Sequence, residues 1–248
     1  LGFQQVEVTV PVLTTSAGDV QFGAPPETLK VAQRSGRQVP RIFVLPDELF
    51  VDGINYADVE FPIYYTSFVQ GGLQQGRRTV LIGTAPQIAR LRAILQETIF
   101  GPSEESLRQA GVPDEEQARI LREDRHFAVK NAQGEPYSLE AFVDFKTFEH
   151  DAAAIDGVTI RRLGENQFEV QDGDTLHSRI AWRPTTAGRY AVTFPAQPLQ
   201  LPTFGVTYLG TSSGFDPNGL TTSFVVWTHG EGLLVDPLAY AVTHLESA

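Results

Sequence analysis

An α+β fold is predicted by three features of this sequence. Short alternating or β-branched runs recur along the chain, a single block of helical periodicity interrupts them between Thr84 and Asp124, and Gly, Asn, Asp and Pro clusters mark the junctions. Strands in two separate stretches with helices gathered between them are the pattern of an α+β arrangement. The predicted organisation is a β-rich N-terminal region over 1–200 with a helical insertion near 84–124, followed by a second region over 201–248.

The elements follow in order. Gln5–Val12 alternates Val6, Val8 and Val10 against Glu7 and Thr9, the mark of a half-buried strand. The segment 14–26, rich in Gly, Ser, Thr and Pro, reads as a loop. Arg41–Leu45 is a short apolar strand stopped by Pro46. The aromatic and β-branched residues of Phe61–Val69 favour a further strand, and Gly71-Gly72 connects it to another over Arg78–Ile82.

Thr84-Ala85-Pro86-Gln87 has the form of a capping box, and Ile88, Leu91, Ile94 and Leu95 then keep a helical period until Gly101-Pro102. Ser103–Ala110 reads as a second helix and Asp114–Asp124 as a third. Their acidic first turns, Glu104-Glu105 and Asp114-Glu115-Glu116, suit the helix dipole better than a metal or an acid pair. A helix is expected to start at Ser138. From Val158 an antiparallel meander is expected over Val158–Leu163, Gln167–Val170, Leu176–Trp182 and Tyr190–Phe194. Pro195, Pro198 and Pro202 then mark a linker.

Composition narrows the function. With 248 residues, 42% hydrophobic and 20% charged, the chain has the make-up of a globular protein. A net charge of −11 opposes binding to nucleic acid, which needs a basic face. No apolar run has the length of a membrane span and no leader pattern opens the chain, so a cytoplasmic location is expected. Cysteine and methionine are both absent. The first excludes thiol nucleophiles and cysteine-ligated zinc. The second leads us to expect a fragment, or a chain from which modified methionines are missing.

The most informative stretch is Phe204–Pro237. Gly205–Leu209 and Ser223–Thr228 are apolar runs separated by a Gly/Ser/Asp/Pro/Asn loop, and Gly232–Val235 forms a third run ending on Asp236-Pro237. His229-Gly230 lies in the turn between the last two, where positive φ is expected. Leu233, Leu234 and Val235 read as a strand covered on both faces.

Leu209-Gly210-Thr211, then Thr222-Ser223 opening an apolar strand, then Gly232-Leu233-Leu234-Val235-Asp236-Pro237 resemble the opening of the metallo-β-lactamase-fold hydrolases, an αββα family with a two-metal site. Phe61–Phe68 and Leu95–Pro102 are similar to regions that precede that domain in some of its members. The resemblance implies that 201–248 holds the first strands of such a sandwich and that Asp236 supports the metal-ligand loop. It places Thr211, Ser212, Phe215 and Asp216 on the substrate-pocket wall. It also implies two zinc or iron ions, and as substrate a small-molecule ester or phosphodiester, with phosphodiesterase activity preferred. The family's H-x-H-x-D-H motif does not occur in this chain.

Two other readings compete. Asp236 before Pro237 also suits a helix cap. Gly210-Thr211-Ser212-Ser213-Gly214 matches the G-x-S-x-G of serine hydrolases, with Ser212 as nucleophile, but the next residues form a loop rather than the required helix. His126, His150, His177, His229 and His244 include no local ligand pair; His244 is expected on a C-terminal helix with Ala239, Val242 and Leu245. Arg77-Arg78 and Arg161-Arg162 could grip an anion, though exposed pairs are the commoner case. A non-catalytic binding or assembly module is therefore the alternative to a hydrolase, and a homo-oligomer is compatible with either.

Overall fold

In the computed structural model the chain divides into two units, Leu1–Pro184 and Thr185–Ala248. The described residues are 10–24, 28–29, 32, 35–47, 57–182, 202–212, 221–237, 241 and 245. The sequence boundary at 200/201 lies outside them, as do the strand expected over Tyr190–Phe194, residues 5–9 of the first expected strand, and His244. Mixed helix and sheet place the protein in the α+β class.

The N-terminal unit is built on a five-stranded sheet in the order β1 (Val12–Thr15), β2 (Gly18–Phe22), β3 (Ile42–Val44), β4 (Thr79–Gly83), β5 (Val143–Thr147). β1 and β2 form an antiparallel hairpin, and β2, β3, β4 and β5 run parallel. Parallel neighbours need crossover connections. Those crossovers hold helix α1 (Ala57–Tyr64) between β3 and β4, and α2 (Ala85–Phe100), α3 (Glu104–Gln109) and α4 (Asp114–Phe127) between β4 and β5.

Because side chains alternate along a strand, each strand feeds two layers. Phe43, Leu45, Leu81 and Val143 pack with Val59 and Ile63 of α1 and with Ile88, Leu91 and Leu95 of α2. Val20, Phe22, Ile42, Val44, Val80 and Ile82 face the opposite way. They pack on Ala153, Ile155, Val158, Ile160, Phe168 and Val170 of a second sheet. That sheet is the antiparallel meander β6 (Ala152–Ile155), β7 (Val158–Gly164), β8 (Gln167–Asp172), β9 (Thr175–Ala181). Asn166 and Gly173, both at positive φ, make two of its three tight turns, and Asp156-Gly157 makes the other.

The start of α2 matches the sequence closely. Thr84 donates its amide to Gln87 Oε1 at 2.9 Å, and Gln87 Nε2 donates to Pro46 O at 2.7 Å, tying the helix start to the end of β3. Gly101 ends the helix at φ 82° with Asp124 lying against its Cα face.

Four local expectations are corrected. Phe61–Val69 is not a strand: Ala57–Tyr64 is helical and Tyr65–Val69 is a π turn. Val59, Ile63, Thr66 and Ser67 are all buried, and their helical spacing outweighs the strand preference of the aromatic residues between them. The loop expected over 14–26 contains the second half of β1 and all of β2, because Val20 and Phe22 are core residues. At Ser138 only a 3₁₀ turn, Leu139–Ala141, forms before β5; pairing of Val143–Thr147 with β4 claims the rest. Leu233 is 68% exposed, so its strand is not covered on both faces.

The β1–β2 turn is fastened to the meander. Ser16 donates its amide to Asp172 Oδ2 at 2.8 Å and its hydroxyl to Oδ1, and His177 Nε2 lies 2.9 Å from Thr14 O. The hydrogen bonds from Ser16 hold the Asp172 carboxyl below the ordinary aspartate range. A depressed folded-state pKa stabilises the fold above the unfolded value and loses that contribution as pH falls through the folded one. Acid titration followed by circular dichroism is expected to show Ser16→Ala less stable than the unaltered protein above the ordinary aspartate range, with the difference shrinking as pH falls below it.

Candidate functional site

The C-terminal unit holds a three-stranded antiparallel sheet in the order β10 (Phe204–Gly210), β11 (Ser223–Thr228), β12 (Glu231–Val235). The three expected apolar runs are therefore the three strands. His229 (φ 51°) and Gly230 (φ 84°) form the two-residue turn between β11 and β12, with Thr228 opposite Glu231. Two positive φ values in a two-residue hairpin match the twist of the flanking strands. One face of the sheet buries Leu209, Val225 and Trp227 with Ala241, and half-buried Leu234 and Leu245 join them. Trp227 Nε1 donates to Thr207 Oγ1 at 2.8 Å, which satisfies its one polar atom.

Pairing places Thr211, Ser212 and Asp236 at one end of this sheet. Gly210 lies opposite Ser223, and Phe224 lies opposite Val235. The end of β10, the start of β11 and the end of β12 thus coincide, and Thr211, Ser212 and Asp236 all emerge there. Ser212 is bridged to Thr221, and its carbonyl accepts from Thr222 N at 2.7 Å and from Thr222 Oγ1 at 3.0 Å. These bonds pin the start of the loop against the residues that lead into β11. Thr211 is exposed and Ser212 half-buried. Phe215 and Asp216 lie outside the described residues.

Asp236 leaves β12 exposed at φ 50°, a left-handed conformation that acidic and amide side chains adopt more readily than most. Beside it, Ser223 is fully buried and donates to Val235 O at 3.3 Å, closing the sheet just before the turn.

His126, His150, His177 and His229 are all exposed; His229 shares a 2.8 Å hydrogen bond with Thr228, and His177 serves the hairpin contact above. Among the described residues no group of three or more His, Asp or Glu side chains is placed to hold a metal ion. The described donor set therefore does not fit a two-metal centre. Among the described residues, no helix is long and apolar enough to cross a membrane.

One polar cluster was only half visible in the sequence. Arg162 donates from Nη2 to Asp47 Oδ1 at 2.8 Å, Asn166 N donates to Asp47 Oδ2 at 2.6 Å, and Asp47 N donates to Asn166 Oδ1 at 2.9 Å. It links the end of β3 to the β7–β8 turn and is structural, with Arg162 engaged rather than free to grip an anion. Of the other arginines considered for anion binding, Arg77 reaches Gln70 O and Arg78 reaches Glu140 O, while Arg161 is exposed.

No family model matches the sequence. The chain is 27% identical over 292 aligned residues to the cAMP/cGMP-dependent 3′,5′-cAMP/cGMP phosphodiesterase B of Dictyostelium discoideum, covering 92% of this chain and 26% of that protein. It is 39% identical over 95 residues to the cGMP-dependent 3′,5′-cGMP phosphodiesterase A of the same organism, covering 38% of this chain and 10% of that protein. The chain thus spans about a quarter of the first relative and a tenth of the second.

Proposed function

We propose that this chain is part of a metal-dependent phosphodiesterase of the metallo-β-lactamase type, acting on a 3′,5′-cyclic nucleotide. The observation that carries the reading is the similarity to a cAMP/cGMP phosphodiesterase, which extends over 92% of the chain rather than through a single motif. The gathering of Thr211, Ser212 and Asp236 at one sheet end supports it, because a substrate wall and a positioning carboxylate need to lie near each other.

In this reading Thr211, Ser212, Phe215 and Asp216 border the substrate. Asp236 accepts a hydrogen bond from the loop that carries a metal ligand and sets its orientation, as outer carboxylates do. Two zinc or iron ions belong to the reading, on ligands other than the described histidines.

The test is hydrolysis of cAMP and cGMP by the natural polypeptide that contains this chain, with the 5′-nucleotide separated by chromatography. Chelation is expected to abolish turnover and added zinc or iron to restore it. Asp236→Ala is expected to lower activity by about 10–100-fold. Absence of hydrolysis of both nucleotides by metal-loaded protein sinks the proposal and leaves the binding-module reading. Activity that survives chelation and is lost on Ser212→Ala sinks it in favour of a serine hydrolase.

A further inference from the structure

Helix α1 contains Pro62 and does not end in an ordinary cap. Proline removes an amide from the helical ladder on its own N-terminal side, and after Tyr64 the ladder widens into a π turn. Gln70 N donates to Tyr65 O at 2.9 Å, five residues back. Next, Gly72 N donates to Thr66 O at 2.9 Å and Leu73 N to Ser67 O at 3.1 Å, each six residues back. A Cβ at Gly72 would stand 2.5 Å from Thr66 O, so only glycine lets the backbone close over the widened turn.

Within a regular helix a buried Ser or Thr hydroxyl bonds to a carbonyl one turn earlier. Here Thr66 Oγ1 and Ser67 Oγ have no hydrogen-bond partner among the described residues, although these two residues are 5% and 0% exposed. A third unpartnered hydroxyl belongs to Thr79, also fully buried, at the base of β4. Thr79 shares the strand parity of Leu81, on the face that α1 and α2 cover. Its amide donates to Phe142 O at 2.9 Å, and the Phe142 ring lies 5.5 Å from the ring of Phe68, the neighbour of Ser67. Leu73, which bonds Ser67 O, packs in the same core as Phe142. The turn and the base of β4 therefore meet around Phe142.

Three buried hydroxyls in one region of a core, each without an acceptor among the described residues, are a costly arrangement unless something small and polar joins them. We propose that the widened turn is a buried hydration site, with ordered water held by the hydroxyls of Ser67 and Thr79 and with Thr66 as a further member. Water suits the chemistry because it donates and accepts at once, as hydroxyls of undefined polarity require. Such water gives the three hydroxyls the hydrogen bonds that the π turn and the base of β4 do not supply.

The test rests on a sign. A hydroxyl that holds water loses stability when removed, whereas a hydroxyl with no partner gains stability or is neutral. Ser67→Ala, Thr79→Val and the double variant are compared by thermal unfolding of the full chain. Each single change is expected to lower Tm, and the double change to lower it by less than the sum, because the two share one site. A raised or unchanged Tm for either single variant, or strictly additive losses, overturns the proposal. Should a variant fail to fold, a high-resolution crystal structure of the unaltered protein decides. Water within hydrogen-bond distance of both hydroxyls supports the site, and its absence overturns it.

Discussion

Phe168→Ala is expected to destabilise the N-terminal unit by about 3–5 kcal/mol. Phe168 is 3% exposed and reaches from the meander into the central sheet, its ring 5.3 Å from that of Phe22 and 6.2 Å from that of Phe148. Removing it costs the burial of a large ring and leaves a cavity between two sheets, whose spacing is set by many other residues and cannot relax locally. Two tryptophans make the measurement selective. Trp182 packs over Gly23 in the N-terminal unit, whereas Trp227 lies in the core of the C-terminal sheet. In a Trp227→Phe background, urea unfolding followed by fluorescence reports the N-terminal unit alone. A loss below about 1 kcal/mol would show that the meander is not held to the sheet by this ring.

Asp47→Ala is expected to cost about 2–3 kcal/mol in the same assay. The carboxylate is 18% exposed and its partner Arg162 29%, so the pair is shielded enough that screening by water does not cancel it. Removal strands the Arg162 guanidinium, whose Nε already lacks a partner among the described residues, and takes away the carboxylate that accepts from the amide of Asn166, a residue only 1% exposed. Asp47→Asn is the informative companion: it keeps the volume and one acceptor and is expected to recover about half of the loss. Equal losses for Ala and Asn would mean that charge alone matters. No loss for either would mean that the β3 end and the β7–β8 turn hold together without this cluster.

Local chemistry was legible wherever one short segment settles its own conformation. Thr84 through Gln87 start a helix with their own side chains, and Gly101 ends it. His229-Gly230 and the turns at Asn166 and Gly173 need positive φ, which the residue types announce. Expectations failed where a segment's fate depends on a distant partner. Ser, Thr and Gly around 14–22 look like loop until β2 is placed beside β3, and the stretch after Ser138 looks like a helix until β5 pairs with β4. Arg162 looks like an exposed cation until Asp47, more than a hundred residues earlier, is brought beside it.

The same division runs through the candidate site. Sequence alone established three apolar strands, the loop at Thr211 and Ser212, and an acid at the strand end, because alternation, turn residues and proline act over a few neighbouring positions. Their meeting at one end of a sheet depended on register, which pairs Gly210 with Ser223 and Phe224 with Val235. Parallel order in the larger sheet, and its two packed layers, likewise came from long-range burial: Val20, Ile42 and Val80 find their common face only when their strands lie side by side. Short-range conformational preference is written residue by residue, whereas register and layer order are cooperative outcomes of burying many side chains at once.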